Sequence, residues 1–497
     1  MRDVQLVLGP PGTGKTETLL RMVHHDLEHG VAPERLAFVS FSRRAIREAV
    51  NRVARGDLPY FKTIHATAFK LAELTRSDVL GPVHLHQFGA AMGEAFSAAA
   101  PRVDPTDDGT APPIYDVDEG TFADRVLSLL GLAAARETSL YHEWDTAQLP
   151  DLEWEYVERL AADYATFKQR NALTDFSDMI ADTGGTLDVD VLYLDEAQDT
   201  STAQWSLLRR ILPADCRLII AGDDDQAVYH WSGADVDFLQ RVRGERRVLP
   251  VSFRLPRSIK RLADGVTARM HQRTPKVYAP RDAEGVVEWV TGTEYVDVRE
   301  GEWLLLARTN AQLAGWRAMA RQQGVVYQLP DGRWSWALPA VRAAMAYFHL
   351  QRGNGVPRAE VRTLLPFLPH GVRTDIAVEY LPELCAWEHV LAPGFDRATQ
   401  WYDACEHMNP DDMLYIRELR QRGESLTKPG RVRISTVHGA KGAQADHVAL
   451  LTDITQRVEA GAQREPDAEL RVQYVGVTRA RERLVLVSPV SERAWRF

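Results

Sequence analysis

The stretch Gly9-Pro10-Pro11-Gly12-Thr13-Gly14-Lys15-Thr16 decides the fold. It follows the mostly apolar run Val4-Gln5-Leu6-Val7-Leu8, which reads as a short buried strand. It precedes Glu17-Thr18-Leu19-Leu20-Arg21-Met22-Val23, which reads as a helix. Strand, glycine loop and helix in that order form a P-loop. The glycines let backbone N–H groups turn inward around phosphate oxygens, and the helix N-terminus adds positive potential. Lys15 is placed to reach the β- and γ-phosphates, and Thr16 to hold Mg²⁺. The bland alternative is a turn that binds nothing, and the complete pattern in its proper setting argues against it. A bound nucleoside triphosphate is therefore expected.

A second apolar run, Val191-Leu192-Tyr193-Leu194, ends in Asp195-Glu196-Ala197-Gln198-Asp199. A strand that delivers two adjacent carboxylates is the Walker B arrangement. Asp195 would coordinate Mg²⁺, and Glu196 would orient and deprotonate the attacking water. A surface acidic turn is the alternative, and it loses force beside the P-loop. A third run, Arg217-Leu218-Ile219-Ile220-Ala221-Gly222, ends in Asp223-Asp224-Asp225-Gln226. Polar tips after successive apolar strands fit an α/β fold with a parallel sheet and its ligand at the carboxyl ends. Gln226 is a candidate γ-phosphate sensor. Tyr229 and Trp231 follow closely. Core packing is one reading of these aromatics. A stacking platform for nucleobases, worth about 1–3 kcal/mol per base, is the other.

At 497 residues the chain is too long for a single core, and about three or four domains are expected. Its composition, 45% hydrophobic and 26% charged, is that of a globular protein. Cys216, Cys385 and Cys405 are far apart, so neither a disulfide framework nor a zinc site is indicated. The P-loop occupies the position of a leader peptide, and no apolar run approaches the roughly 20 residues that span a bilayer. A cytoplasmic protein without membrane partners is expected. The net charge of −10 argues weakly against a nucleic-acid partner, although basic residues can be gathered in one cleft.

Asp-Glu-Ala-Gln-Asp followed by Gly-Asp-Asp-Asp-Gln-x-x-Tyr-x-Trp resembles the UvrD/Rep family of superfamily 1 helicases. The family's other motifs have counterparts in the expected order. Ala37 to Ala45 resembles motif Ia, Thr63-Ile64-His65 motif Ib, and Thr174 to Asp178 the Asp-Phe-x-Asp segment. Val251-Ser252-Phe253-Arg254 resembles motif IV, and Leu305 to Gln312 the Arg-Thr-Asn strand. Ser435 to Gly442 resembles motif V, and Tyr474 to Ala480 motif VI.

The resemblance implies two RecA-like motor domains, each interrupted by a mainly helical insertion. Residues 1–70 and 176–255 would form the first motor domain (1A), and 71–175 its insertion (1B). Residues 256–350 and 428–497 would form the second (2A), and 351–427 a small insertion (2B). The implied cofactors are ATP and Mg²⁺. The nucleotide would lie against Gly9, Pro10, Pro11, Gly12, Thr13, Gly14, Lys15, Thr16 and Glu17, with Phe253 stacking on adenine and Gly442 contributed by motif V. Lys15, Glu196, Gln226, Arg254 and Arg479 would carry the chemistry, the two arginines as fingers, and Thr16 and Asp195 would hold the metal. Phe41, Arg44, Thr63, His65, Tyr229 and Trp231 would grip nucleic acid on the first domain, and Thr436 and His438 on the second. A buried structural hydrogen bond is the alternative for His65 and His438.

The implied activity is a monomeric, ATP-dependent 3′→5′ DNA helicase acting on single-stranded and tailed duplex DNA, with replication or repair proteins as conceivable partners. The alternatives are a single-strand translocase that strips proteins but unwinds poorly, and a regulatory protein with a vestigial ATPase. The intact catalytic set argues against the last. Several positions depart from the family pattern. No upstream glutamine segment for reading the adenine edge is expected. Glu17 replaces an arginine that covers the base, Ser232 an arginine that couples the nucleotide and DNA sites, and Ala443-Gln444 a Leu-Glu pair.

Overall fold

The computed structural model describes residues 3–40, 43–53, 58–96 and 120–497. The chain divides into two compact units, each built from three separated stretches. The first comprises Met1–Leu255, Asp264–Ala283 and Ala462–Tyr474; the second comprises Pro256–Ala263, Glu284–Gly461 and Val475–Phe497.

The first unit holds six strands, β1 (Val4–Leu8), β2 (Leu36–Ser40), β3 (Tyr60–Thr63), β4 (Val191–Asp195), β5 (Arg217–Gly222) and β6 (Glu245–Val248). They pair in the order β3-β2-β4-β5-β1-β6, and every pair is parallel. Strands buried on both faces read as continuous apolar runs rather than alternating ones, and β2 and β4 are buried along their whole length. Alternation survives as a choice of core. Leu192, Leu194 and Ile220 pack with Trp205, Leu207 and Leu208 on one face. Val191, Tyr193 and Ile219 pack with Leu19, Leu20 and Val23 of the helix Lys15–Glu28 on the other.

Register then fixes the site. Leu8 pairs with Gly222 and Ser40 with Asp195, so the chain leaves β1, β4 and β5 at one edge of the sheet. The helices Pro82–Met92, Phe122–Arg136 and Trp154–Arg170 form a core of their own around Phe88, Val126, Leu129 and Leu160. Thr121 and Asp124 close the start of the second of these helices reciprocally. The Thr121 hydroxyl accepts from the Asp124 N–H at 3.1 Å, and the Asp124 carboxylate from the Thr121 N–H at 2.9 Å.

The second unit contains β7 (Val286–Val290), β8 (Trp303–Ala307), β9 (Tyr327–Gln328), β10 (Val356–Pro357), β11 (Leu384–Cys385), β12 (Val432–Thr436), β13 (Ala445–Leu451) and β14 (Ala480–Val487). Six of them form a second all-parallel sheet, β7-β14-β13-β8-β12-β9. The molecule is thus α/β, with two parallel sheets flanked by helices. Residues 351–427 carry the helices Arg358–Leu364 and Pro410–Gln421 together with the small antiparallel β10–β11 pair. Their Leu364, Trp401 and Ile416 share one core with Leu305, Ile434 and Val485 of the sheet. No helix among the described residues is long and apolar enough to cross a membrane.

Candidate nucleotide and nucleic-acid sites

In the first unit the P-loop folds over its own lysine. The Lys15 ammonium donates to the Gly9 carbonyl at 2.8 Å, and the Thr13 hydroxyl to the Pro10 carbonyl at 2.8 Å. A Cβ on Gly9 would lie 2.2 Å from Lys15 Cγ, so only glycine leaves the lysine room to cross the loop. The Thr16 hydroxyl donates to Asp195 Oδ2 at 2.6 Å, joining the start of the helix to the end of β4. Asp195 is fully buried. Burial, then the neighbouring Glu196 charge, raise its carboxyl to about 7, while Thr16 and Lys15 pull the other way.

Glu196 adopts φ +54°, a left-handed backbone that residues other than glycine seldom take. Its carboxylate accepts a hydrogen bond from Gln198 Nε2. The Gln198 Oε1 atom accepts from the Asp223 N–H at 2.9 Å, so Gln198 ties the tip of β4 to the tip of β5. Gln226 Nε2 in turn donates to Asp223 Oδ2 at 2.6 Å.

The segment after β6 closes against the P-loop. The Ser252 hydroxyl donates to the Pro11 carbonyl at 2.7 Å, and the Phe253 N–H to the Gly12 carbonyl at 2.8 Å. Gly12 has φ +73°, and a Cβ there would lie 2.2 Å from Arg254 Cβ. Arg254 is therefore held directly beside the loop, while Phe253 is 73% exposed. Glu17 faces Arg52 at 2.7 Å and Arg21 at 3.6 Å.

The nucleic-acid candidates are placed as follows. Tyr229 and Trp231 are partly buried and meet edge to face at 6.4 Å. Ser232 returns its hydroxyl to the Tyr229 carbonyl at 2.8 Å. The Thr63 hydroxyl accepts from the Ala66 N–H and caps the helix Ile64–Leu71. The His65 ring meets Phe176 edge-on at 5.6 Å. The neighbouring Asp175 and Asp178 share Lys168, so the Asp-Phe-x-Asp segment is a packed ion-pair cluster. Phe41 lies outside the described residues, as does the side chain of Arg44.

In the second unit, Thr436 ends β12, and its hydroxyl accepts from the Gly439 N–H at 3.1 Å. Burial, helped by Arg308 and Lys441, pushes the His438 imidazole down to about 3. Gly442 takes φ +77° in the same loop. Arg479 is 1% exposed and donates to the carbonyls of Val475 at 2.9 Å and Ala443 at 3.2 Å.

Thr16, Asp195, Glu196, Gln226 and Arg254 thus lie in one unit, at or just beyond the carboxyl ends of the strands of a single sheet. Residues 1–246 match the UvrD/REP helicase N-terminal domain, and residues 406–490 match the UvrD-like helicase C-terminal domain. The chain belongs to the UvrD/REP helicase family. It is similar to the putative ATP-dependent DNA helicase YjcD of Bacillus subtilis, at 22% identity over 98% of this chain and 77% of that one. The ATP-dependent DNA helicase UvrD2 of Mycobacterium tuberculosis is 24% identical, covering 97% and 76%. The ATP-dependent DNA helicase PcrA of Bacillus subtilis is 22% identical, covering 69% and 51%.

Within this UvrD/REP helicase, Gln198 and Ser252 join the site without being legible as site residues in the sequence. Gln198 stands inside the Walker B run, where a polar residue two positions past the glutamate was the available signal. Ser252 carried no such signal, because its partner is a backbone carbonyl 241 residues away.

Proposed function

We propose that this chain is an ATP-driven motor that moves 3′→5′ on single-stranded DNA and unwinds duplex. The observation that carries the reading is the joint arrangement of Lys15, Thr16, Asp195, Glu196, Gln226 and Arg254 in one unit, with Tyr229 and Trp231 a few residues beyond Gln226. Polarity rests on family membership. Thr16 and Asp195 present a hydroxyl and a carboxylate to each other at 2.6 Å, hard oxygen donors of the kind Mg²⁺ prefers. They would hold that ion, which neutralises phosphate charge when bound.

Lys15 would exchange the Gly9 carbonyl for phosphate oxygens. Glu196 would take the proton of the attacking water. Arg254, and Arg479 from motif VI, would stabilise the transferring phosphoryl group as planar, permanently charged forks. The division into 1A, 1B, 2A and 2B belongs to the same proposal.

A second reading, a translocase that clears proteins and unwinds poorly, is favoured by one observation. Residues 351–427 share the core of the second sheet, which suits a fixed insertion better than a swinging one. ATP turnover with and without single-stranded DNA, followed by strand displacement on 3′- and 5′-tailed duplexes, separates these readings. DNA-stimulated hydrolysis with displacement only from the 3′ tail is expected. Absence of stimulation would overturn both readings, and stimulation without displacement would select the second.

A further inference from the structure

Residues Tyr141 to Glu158 carry six carboxylates and no lysine or arginine. Two of the six are neutralised from the helix Phe122–Arg136, Glu143 by Arg136 at 2.8 Å and Asp151 by Arg125 at 3.0 Å. Asp145, Glu153, Glu155 and Glu158 are exposed, and none of them has an ion-pair partner among the described residues. Three aromatic rings stand among these carboxylates. Tyr141 meets Trp154 edge-on at 5.0 Å and Trp144 at 5.6 Å, and the two indoles lie 5.5 Å apart. Trp144 is anchored by its Nε1–H, which donates to the Leu152 carbonyl at 2.7 Å. Both indoles pack on the helical core around Phe88 and Leu129, whereas Tyr141 lies on the indoles and stays 53% exposed.

Helical spacing sets carboxylates beside these rings. Residues four apart lie one above the other on a helix. Asp145 is therefore one turn from Tyr141 on the helix Leu140–Ala147, and Glu158 one turn from Trp154 on the helix Trp154–Arg170. The neighbouring rings of the same helices carry cations of their own. Arg125 lies over Phe122 at 5.6 Å, Arg159 over Tyr156 at 5.5 Å and Lys168 over Tyr164 at 5.0 Å. Among the described residues no cation stands over Tyr141, Trp144 or Trp154. An aromatic face attracts a cation, and carboxylates beside it add to the attraction. The same carboxylates repel phosphates, so this face is unsuited to nucleic acid.

We propose that the Tyr141–Trp154 face docks an arginine-rich segment of a protein partner, one guanidinium stacking on Tyr141 and its neighbours pairing with Asp145 and Glu158. Arginine suits the face better than lysine, because its planar fork both stacks on a ring and bridges to a carboxylate. The probe is a fluorescein-labelled peptide of alternating arginine and glycine, compared with its lysine counterpart. Fluorescence anisotropy gives Kd for the full chain, for Tyr141→Ala, for Tyr141→Phe and for the pair Asp145→Asn/Glu158→Gln. The pair Glu28→Gln/Glu34→Gln removes the same charge at exposed positions on other elements and serves as control. Melting temperature is recorded for every variant.

The arginine peptide should bind the wild-type chain more tightly than the lysine peptide does. Tyr141→Ala should weaken it about two- to fivefold, the scale of one exposed cation–π contact, and Tyr141→Phe should keep wild-type affinity. Asp145→Asn/Glu158→Gln should weaken it about two- to tenfold, and the control pair by less than about 1.5-fold. If Tyr141→Ala melts too low to assay, the two carboxylate pairs decide. Unchanged affinity in a folded Tyr141→Ala would leave Tyr141 a packing residue and overturn the proposal. An equal loss in the control pair would reduce binding to overall acidity and overturn it too. So would the absence of binding below about 100 µM peptide. Two further results would replace the occupant and overturn the proposal. One is a dimer in sedimentation that Tyr141→Ala dissociates, which would seat a second copy on this face. The other is weaker single-stranded DNA binding in Tyr141→Ala, which would seat a nucleobase there.

Discussion

At the scale of single residues, Glu196 is the sharpest test of the chemistry. Glu196→Gln keeps size and the hydrogen bond from Gln198 but removes the base, so turnover should be lost while ATP and DNA still bind, as equilibrium titrations would report. Glu196→Asn should be inactive yet melt higher. Asparagine tolerates the left-handed backbone at φ +54°, and the change also removes a charge beside buried Asp195. A melting temperature at or below wild type would mean that the lost hydrogen bond from Gln198 outweighs the relief of the backbone. His438 gives a pH test. Its folded value near 3 lies below the ordinary 6.5, so the unfolded chain binds the extra proton first. The stability it contributes is complete above about pH 6.5 and drains away as pH falls toward 3. Because the raised carboxyl of Asp195 acts in the opposite sense over the same range, the test is a difference: between pH 7 and 5 the melting temperature of wild type should fall relative to that of His438→Asn. Trp231→Ala should weaken single-strand binding by about 1–3 kcal/mol if a base stacks there. Unchanged affinity with a lowered melting temperature would assign Trp231 to the core. The P-loop and Walker residues were legible because their chemistry demands fixed spacing. Lys276, whose ammonium lies against buried Asp223, Asp224 and Asp225, was not, because nothing within its own stretch of sequence announces three aspartates some 50 residues upstream.

At the scale of elements, the P-loop and the segment after β6 behave as one piece, locked through Pro11, Gly12, Ser252 and Phe253. Gly12→Ala meets both a positive φ and the Arg254 Cβ at 2.2 Å. It should destabilise the first unit by about 1–3 kcal/mol, the usual scale of such backbone strain, and it should lower ATPase activity by displacing Arg254. Thermal melting and ATPase assays together check this, and full activity at an unchanged melting temperature would contradict the lock. Strands β1, β4 and β5 were legible because burial on two faces leaves nearly uninterrupted apolar runs, whereas β6, which reads Glu-Arg-Arg-Val and is largely exposed, was not. The β10–β11 pair was not, since two-residue strands are too short to show any period. The stretch 264–283 is likewise opaque, because it contributes ion pairs rather than apolar periodicity.

At the scale of the whole molecule, neither unit is a continuous stretch of chain. A fragment ending at Leu255 would keep the three buried aspartates without Lys276. Leaving buried charge unpaired typically costs about 3–5 kcal/mol, so this fragment should melt well below one ending at Ala283. Equal melting temperatures would mean the aspartates find another partner or water. The interleaving also sets a timetable for biosynthesis. The first unit needs Arg471, which donates to the Asp224 carbonyl, yet the ribosome releases Leu255 more than 200 residues earlier. At about 5–20 residues per second, the nascent ATP-binding unit waits roughly 10–40 s for its last segment. During that interval the unfinished protein carries a P-loop and a Walker B strand on an incomplete unit. A chain abandoned by the ribosome midway would lack the cations that hold the Asp223–Asp225 turn, so incomplete copies should be the less stable ones and the sooner cleared.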